Sequence, residues 1–326
     1  MLAIEIASFG PPSVLQPTER PTPVIGPDEI LIAVEAAGIS RVDTLQRQGR
    51  YPTPPGASDI PGLDCAGTVT AVGESVTNWK VGDRVCALVS GGAYAELCVA
   101  PAVQALPIPE CWTAIEAASL PENLFTVYDN MMTRARLAAG ETVLIHGGTS
   151  GIGIMAIMVA RAFSAIPIAT AGSYEKCAAC RDVGAAEAIN YRTQDFVEAG
   201  RRFTDGKGVD VVLDIIGASY LDRNLDVLAT EGRLSLIATQ GGSSDSLNIL
   251  KLMQKRGAIH GSVLRSRTPA EKGAIAGRLR RDIWPLLPAR NPIRPVIDST
   301  IPLREAWRGH ERMEASTHIG KIVLVM

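Results

Sequence analysis

Four glycines, at positions 147, 148, 151 and 153, interrupt the stretch Val143-Leu-Ile-His-Gly-Gly-Thr-Ser-Gly-Ile-Gly153, and their type and spacing suit a phosphate group. Val143 to His146 read as a short buried strand, and an apolar, Ala- and Met-rich helix follows from Ile154. A strand, a glycine turn and a helix in that order form a mouth for a pyrophosphate. Amide N–H groups at a helix N-terminus carry partial positive charge, and residues without side chains let phosphates come close. The spacing is G-x-x-G-x-G rather than the usual G-x-G-x-x-G, so the turn alone is a weak signal and is also compatible with a loop that binds nothing. Its surroundings decide.

The elements that must position this turn follow from periodicity. From about residue 123, short strands at 142–146, 166–170, 188–190, 209–216, 233–238 and 258–264 alternate with helices at 152–163, 175–183, 194–203, 220–228 and 247–255. Six strands alternating with five helices predict an α/β fold with a doubly wound parallel sheet. The glycine turn then falls at the first strand-to-helix junction, where such sheets bind dinucleotide phosphates. Residues 1 to about 120 read differently. Strands at 29–35, 66–73, 83–89 and 93–99, punctuated by Gly and Pro clusters, predict a compact β-barrel domain with a helical turn over 40–48. After residue 264 come a helix over 269–287, a Pro-rich link, an amphipathic helix over 304–315 and a strand over 321–325. That tail is too small to fold alone and is expected to complete the first domain.

Bulk properties narrow the class. A chain of 326 residues that is 46% hydrophobic can bury two cores, and a net charge of −2 offers no global attraction to nucleic acid or an anionic membrane. No apolar run reaches the roughly 18–20 residues of a membrane span. The opening Met1-Leu-Ala-Ile-Glu-Ile alternates like a strand and lacks a signal-peptide layout. Six cysteines in a chain of this size do not make a secreted disulfide scaffold. The expectation is a soluble cytoplasmic protein that binds neither membrane nor nucleic acid.

In sheets that bind NAD, an acidic residue at the end of the second strand holds the adenosine ribose. Here that strand ends Ala169-Thr-Ala-Gly-Ser173, with no carboxylate. Gly172 leaves room for a 2′-phosphate, Ser173 can donate to it, Lys176 can add positive charge, and Tyr191 could lie near the adenine, so NADPH is favoured over NADH. Ser173 is also a good helix N-cap and Lys176 an ordinary solvated charge, and both readings can hold together. Zinc is not expected. None of His146, His260, His310 and His318 forms an H-x-x-x-H pair, and Cys65, Cys86, Cys98 and Cys111 are spread singly. Cys177 and Cys180 have C-x-x-C spacing but read as two small residues of a helix.

At this point the motifs resemble a known family. Gly82-Asp-Arg-Val85, Ile145-His-Gly-Gly-Thr-Ser-Gly-Ile-Gly153 and Gly320-Lys-Ile-Val-Leu324 are similar to the medium-chain dehydrogenase/reductase superfamily, and more narrowly to its zinc-independent quinone oxidoreductases. Further matches are Gly38-Ile-Ser-Arg-Val-Asp-Thr-Leu-Gln-Arg-Gln-Gly49, Pro61-Gly-Leu-Asp-Cys-Ala-Gly67, Asn123-Leu-Phe-Thr-Val-Tyr128 and Leu264-Arg-Ser-Arg267. The resemblance covers essentially the whole chain. It implies a GroES-like catalytic domain over 1–122 and 265–326 and a Rossmann cofactor domain over 123–264. Zinc members have a ligand Cys where this chain has Ser40 and a ligand His where it has Leu63; quinone reductases of this type usually have Asn at the position of Ser40.

The resemblance also implies roles. Gly148, Thr149, Ser150, Gly151, Ile152 and Gly153 would form the pyrophosphate cradle, with Gly148 and Gly153 at the first and third glycines of the fingerprint. Ser173, Lys176 and Tyr191 would meet the 2′-phosphate and adenosine, and Thr126 the nicotinamide ribose. Ile237, Ala238, Ser262 and Leu264 would hold the carboxamide face, with Lys321 a basic position near the cofactor. Ser40 and Tyr51 would face the acceptor, Tyr51 alternatively being a packed aromatic, and Asp43 would shape the active-site loop. The expected activity is zinc-free hydride transfer from NADPH to a quinone or similar conjugated carbonyl. The alternatives are an NADPH-dependent enone or alkenal reductase and a non-catalytic NADPH-binding structural protein. A homodimer joined through the edge of the cofactor sheet is expected.

Overall fold

A computed structural model of the chain describes residues 1–287 and 293–326. The chain divides into two compact units, one of Met1–Phe125 with Leu264–Met326 and one of Thr126–Val263. The expected Pro-rich link lies largely outside the described residues. Among the described residues no helix is long and apolar enough to cross a membrane.

The first unit is built on a seven-stranded sheet whose central strand, Glu29–Ile39, runs eleven residues. It alternates buried with half-buried or exposed positions as far as Glu35 and is then buried, because it pairs with Asp64–Val72 on one side and with Leu97–Pro101 and Lys321–Val325 on the other. The tail thereby supplies a strand to this sheet, and a second one, Ile297–Pro302, lies parallel to Lys321–Val325 at the edge. That edge strand is half exposed and reads as loop in the sequence. Ile4, Ile30, Ile32, Val69, Val85, Tyr94 and Leu324 meet in the core. The helix expected over 269–287 stops at Asp282, and a short 3-10 turn over Trp284–Leu286 replaces its last part. Pro285 has no N–H to give and its ring clashes with the preceding turn, so an α-helix cannot continue through it.

The second unit is a six-stranded, wholly parallel sheet. Its strands lie in the order Glu187–Asn190, Ile166–Ala171, Thr142–His146, Val209–Asp214, Leu228–Leu236, Ala258–Gly261. Strands buried on both faces are largely apolar, and the centres of Thr142–His146 and Val209–Asp214 are Val-Leu-Ile and Val-Val-Leu, with the polar His146 and Asp214 at their carboxyl ends. Helices follow them at Gly151–Ala162, Tyr174–Asp182, Phe196–Phe203, Leu221–Val227 and Ile249–Lys255. The strand expected to begin at 233 begins at Leu228, with a register shift opposite Val209 and Val211 and Glu231 at φ 63°. Preceding this sheet, the helix Pro121–Val127 widens into a π-helical stretch over Tyr128–Arg134, which the sequence does not predict.

Candidate active site

In the second unit, order in the chain reverses at Thr142–His146, from which the sheet is built outward both ways. Ligands of such sheets bind beyond the carboxyl ends of the strands at that point. The glycine turn leaves this strand there. Ser150 caps the following helix, its Oγ accepting the Gly153 N–H at 3.0 Å and donating to the Gly147 carbonyl at 2.8 Å. A Cβ at Gly153 would lie 2.3 Å from Gly147 O and 2.7 Å from Gly148 C, so the turn folds onto the helix only because that residue is glycine. Thr149 is buried, while Gly151 and Ile152 are half-buried at the helix start. The bare backbone and the open helix N-terminus fit a pyrophosphate.

Gly172 and Ser173 follow the next strand, Ile166–Ala171. Ser173 Oγ accepts the Lys176 N–H at 3.2 Å, which makes it a helix cap. Tyr191, 43% exposed, follows the neighbouring strand, and a Cβ on Gly172 would fall 2.8 Å from its hydroxyl. Gly172, Ser173 and Tyr191 are thus brought together at one end of the sheet. Ile237 and Ala238 are half-buried beyond the end of Leu228–Leu236, and Ser262 follows Ala258–Gly261 at that same end. Thr126, also buried, accepts at its carbonyl a hydrogen bond from Asn130 Nδ2 at 2.9 Å. Nothing in the sequence singles out Asn130, one of several polar residues between Glu122 and Arg134.

Beneath the turn, His146 is buried with its two ring nitrogens 3.1 Å from Thr170 Oγ1 and 2.8 Å from Asn224 Oδ1. Asn224 Nδ2 donates to Asp214 Oδ2 at 2.9 Å. Burial pulls the imidazole down to about 4 and pushes the Asp214 carboxyl up to about 6. The imidazole is therefore uncharged near neutral pH, and Asp214, which also accepts the Ile216 and Gly217 amides, ties the strand ends in place.

The first unit gathers a different set. Ser40 ends the central strand and begins the helix Arg41–Arg47. Asp43, one turn on, accepts the Ser40 N–H at 2.7 Å and the Tyr94 hydroxyl at 3.1 Å, both on Oδ2. It is buried, and desolvation raises it to about 6 against the opposing pull of the Ser40 amide. Asp43 therefore holds the helix start that carries Ser40. Lys321 Nζ donates to Ser40 Oγ at 2.8 Å and to Asp64 Oδ2 at 2.7 Å, and Asp64 Oδ1 accepts the Glu122 N–H at 2.6 Å. Desolvation works against the Lys321 ammonium, yet the charges of Asp64 and Glu122 outweigh it and leave it above the ordinary lysine value.

Strand register explains this meeting: Gly38 lies opposite Asp64 on one side and opposite Val323 on the other. A Cβ at Gly38 would sit 2.7 Å from Lys321 Cε and 2.9 Å from Asp64 Oδ2, so the ion pair needs that glycine. Asp64 is not among the site residues expected from the sequence, where its one signal is a carboxylate directly after Leu63 in Pro61-Gly-Leu-Asp-Cys-Ala-Gly67. Lys321 and Leu264, expected beside the cofactor, both belong to the first unit, and the Lys321 ammonium is engaged by Ser40 and Asp64. Tyr51 is half-buried, its ring 5.6 Å from the Arg265 guanidinium. Desolvation raises its hydroxyl above the ordinary value, opposed by Arg265. Arg265 is anchored by Ser90 O at 2.9 Å and Gln46 Oε1 at 2.8 Å.

Comparison with known proteins adds the following. Residues 26–110 match the alcohol dehydrogenase GroES-like domain family and residues 151–276 the zinc-binding dehydrogenase family. The quinone oxidoreductase of Rattus norvegicus is 32% identical, over 100% of this chain and 98% of the relative. The crystal structure of the Escherichia coli quinone oxidoreductase complexed with NADPH superposes with a TM-score of 0.85 at 30% identity, covering 100% of both chains. An NAD-dependent alcohol dehydrogenase superposes with a TM-score of 0.86 at 28% identity, also over 100% of both.

Proposed function

We propose that this chain, which belongs to the medium-chain dehydrogenase/reductase superfamily and to its quinone oxidoreductases, is an NADPH-dependent, zinc-free reductase of quinones and similar conjugated carbonyls, working in the cytoplasm. The observation that carries this reading is the convergence of the glycine turn, Ser173, Tyr191, Ile237 and Ser262 at the carboxyl ends of five of the six parallel strands. When bound, NADPH supplies the hydride. The amides of residues 148–153 bind its pyrophosphate; Ser173, Lys176 and Tyr191 bind the 2′-phosphate and adenosine. The missing carboxylate at the end of Ile166–Ala171 supports NADPH over NADH, since an acid there would repel the extra phosphate. Thr126, Ile237, Ala238, Ser262 and Leu264 position the nicotinamide end.

A quinone spreads incoming charge over its own π system, so the protein's task is to orient two flat rings and exclude water. Zinc-free chemistry is supported by what surrounds Ser40: its oxygen accepts from the Lys321 ammonium, and Leu63 cannot ligate a metal. Ser40 donates to the acceptor oxygen and Tyr51 delivers the proton that completes reduction. The test is NADPH oxidation against quinone, enone and alkenal panels, before and after exhaustive chelation. Quinone turnover that survives chelation is expected. Loss on chelation would overturn the zinc-free reading, and turnover of enones alone would reassign the acceptor.

The partner we assign is a second copy of the chain. One edge of the six-stranded sheet is capped: Arg181 donates to the Ala188 carbonyl and Gln194 accepts the Asn190 N–H. The other edge, Ala258–Gly261, adjoins the helix Ile249–Lys255, where Ile249, Leu250 and Met253 are 63%, 62% and 66% exposed. An open strand edge beside an apolar patch suits pairing. Light scattering on the wild type and on Met253→Lys tests this; a wild-type monomer would refute it.

A further inference from the structure

Asn130 lies in the π-helical stretch Tyr128–Arg134, buried at 2% exposure. Its own carbonyl accepts from Ala135 N at 3.0 Å, five residues on, so the turn here is wider than an α-turn. Such widened turns are rare and cluster at functional sites. Its side chain makes three bonds to three different elements. Nδ2 donates to the Thr126 carbonyl at 2.9 Å, and Oδ1 accepts the Ser262 hydroxyl at 2.8 Å and the Ser235 hydroxyl at 3.2 Å. Ser235 lies in Leu228–Leu236, just before Ile237 and Ala238, and Ser262 directly follows Ala258–Gly261.

We infer that Asn130 is a positioning residue for the nicotinamide end: it clamps the backbone of Thr126 to the ends of the last two strands of the sheet and sets the spacing between them. The inference rests on the proposal that these segments receive NADPH. No other residue type of this size offers one donor to a carbonyl and one acceptor to two hydroxyls. Aspartate loses the donor, leucine loses both, and serine or alanine does not reach. Ser262 and Ser235 donate their only hydroxyl protons to Asn130, and the Ser262 N–H bonds the Leu236 carbonyl at 3.2 Å, which ties the same loop by its backbone. The π-helical turn places Asn130 where it can serve both serines while still bonding the carbonyl four residues back. The glycine turn and the Ser173 region make no bond to Asn130, so the pyrophosphate and adenosine contacts are independent of it.

The experiment compares wild type, Asn130→Ala and Ser262→Ala by three readouts: apo melting temperature, NADPH affinity with the emission enhancement of the bound nicotinamide, and turnover with NADPH deuterated at either C4 position. Asn130→Ala is expected to leave the NADPH Kd within about threefold and to reduce the emission enhancement. It should lower kcat by about tenfold to a hundredfold, the cost of a misplaced reacting group. The NADP+ formed should then have lost part of its deuterium from the C4 position that the wild type does not use. Ser262→Ala, which removes only the 2.8 Å bond, should show the same effects in smaller degree and serves if Asn130→Ala does not fold. Unchanged emission, kcat and stereospecificity in folded variants would overturn the inference, as would a kcat that falls only in step with melting temperature. Failure of the wild type to bind NADPH would overturn the cofactor reading and this inference together, and is distinguished by being seen without any substitution.

Discussion

Gly153→Ala puts the reading of the glycine turn at risk in a single experiment. The added Cβ would lie 2.3 Å from Gly147 O, while ordinary contact begins at 3.4 Å, so the turn must retreat by 3.4 − 2.3, about 1.1 Å. The obstructing atoms are backbone, with no rotamer to escape into. Overpacking of this kind costs about 1–3 kcal/mol, against about 1 kcal/mol gained from the better helix propensity of alanine. A turn displaced by that distance loses hydrogen bonds to a charged phosphate, each worth about 1.5–3 kcal/mol. NADPH affinity should therefore fall by roughly tenfold to a hundredfold, with a lowered apo melting temperature. Calorimetric titration and differential scanning calorimetry measure the two. Gly277→Ala is the control. Exposed in the helix Pro269–Asp282, with nothing within 4 Å of its would-be Cβ, it should gain about 0.5–1 kcal/mol and leave NADPH affinity alone. If Gly153→Ala binds NADPH as the wild type does and melts no lower, the turn is not the tight pyrophosphate cradle described.

Four further outcomes follow from named contacts. Lys176→Glu should raise the KM for NADPH by about tenfold or more, the loss of one charged hydrogen bond, and change that for NADH little; equal effects would remove the basis for NADPH preference. Tyr51→Phe should depress kcat about a hundredfold if its hydroxyl is the general acid, and an unchanged kcat would reduce Tyr51 to packing against Arg265. Asp64→Asn leaves the Lys321 ammonium buried without its counter-charge and should cost about 3–5 kcal/mol of stability in urea unfolding, an effect absent if the pair is solvated. His146 has its folded value depressed from 6.5 to about 4, so the unfolded chain takes up its proton first as pH falls. Its contribution is complete above pH 6.5 and lost toward pH 4, about 3 kcal/mol in all. His310, pulled down to about 3, adds to this slope, while Asp43 and Asp214, raised to about 6, oppose it by losing stability as pH rises from 3.8 to 6. The difference between wild-type and His146→Gln urea midpoints across pH 4–7 isolates the one group; parallel curves would refute the assignment.

Local chemistry carried much of this protein in its sequence. The glycine turn, the cap at Ser150, the capping box of Thr268 and Glu271 and the alternation of strand with helix all depend on residues within a few positions of one another. Even there, boundaries moved where neighbours decided them. Leu228–Leu236 starts early because Val209 offers Leu228 a partner, and Ile297–Pro302 is a strand only because Lys321–Val325 lies beside it. Resemblance carried the family and the expected roles of Ser40 and Lys321, but not their contact. Lys321 reaches Ser40 across 281 positions and Asp64 across 257, and Ser262 reaches Asn130 across 132. Such meetings are set by strand register and by which glycines let backbones close up. Those are decided by the whole sheet at once, so no local stretch of sequence encodes them.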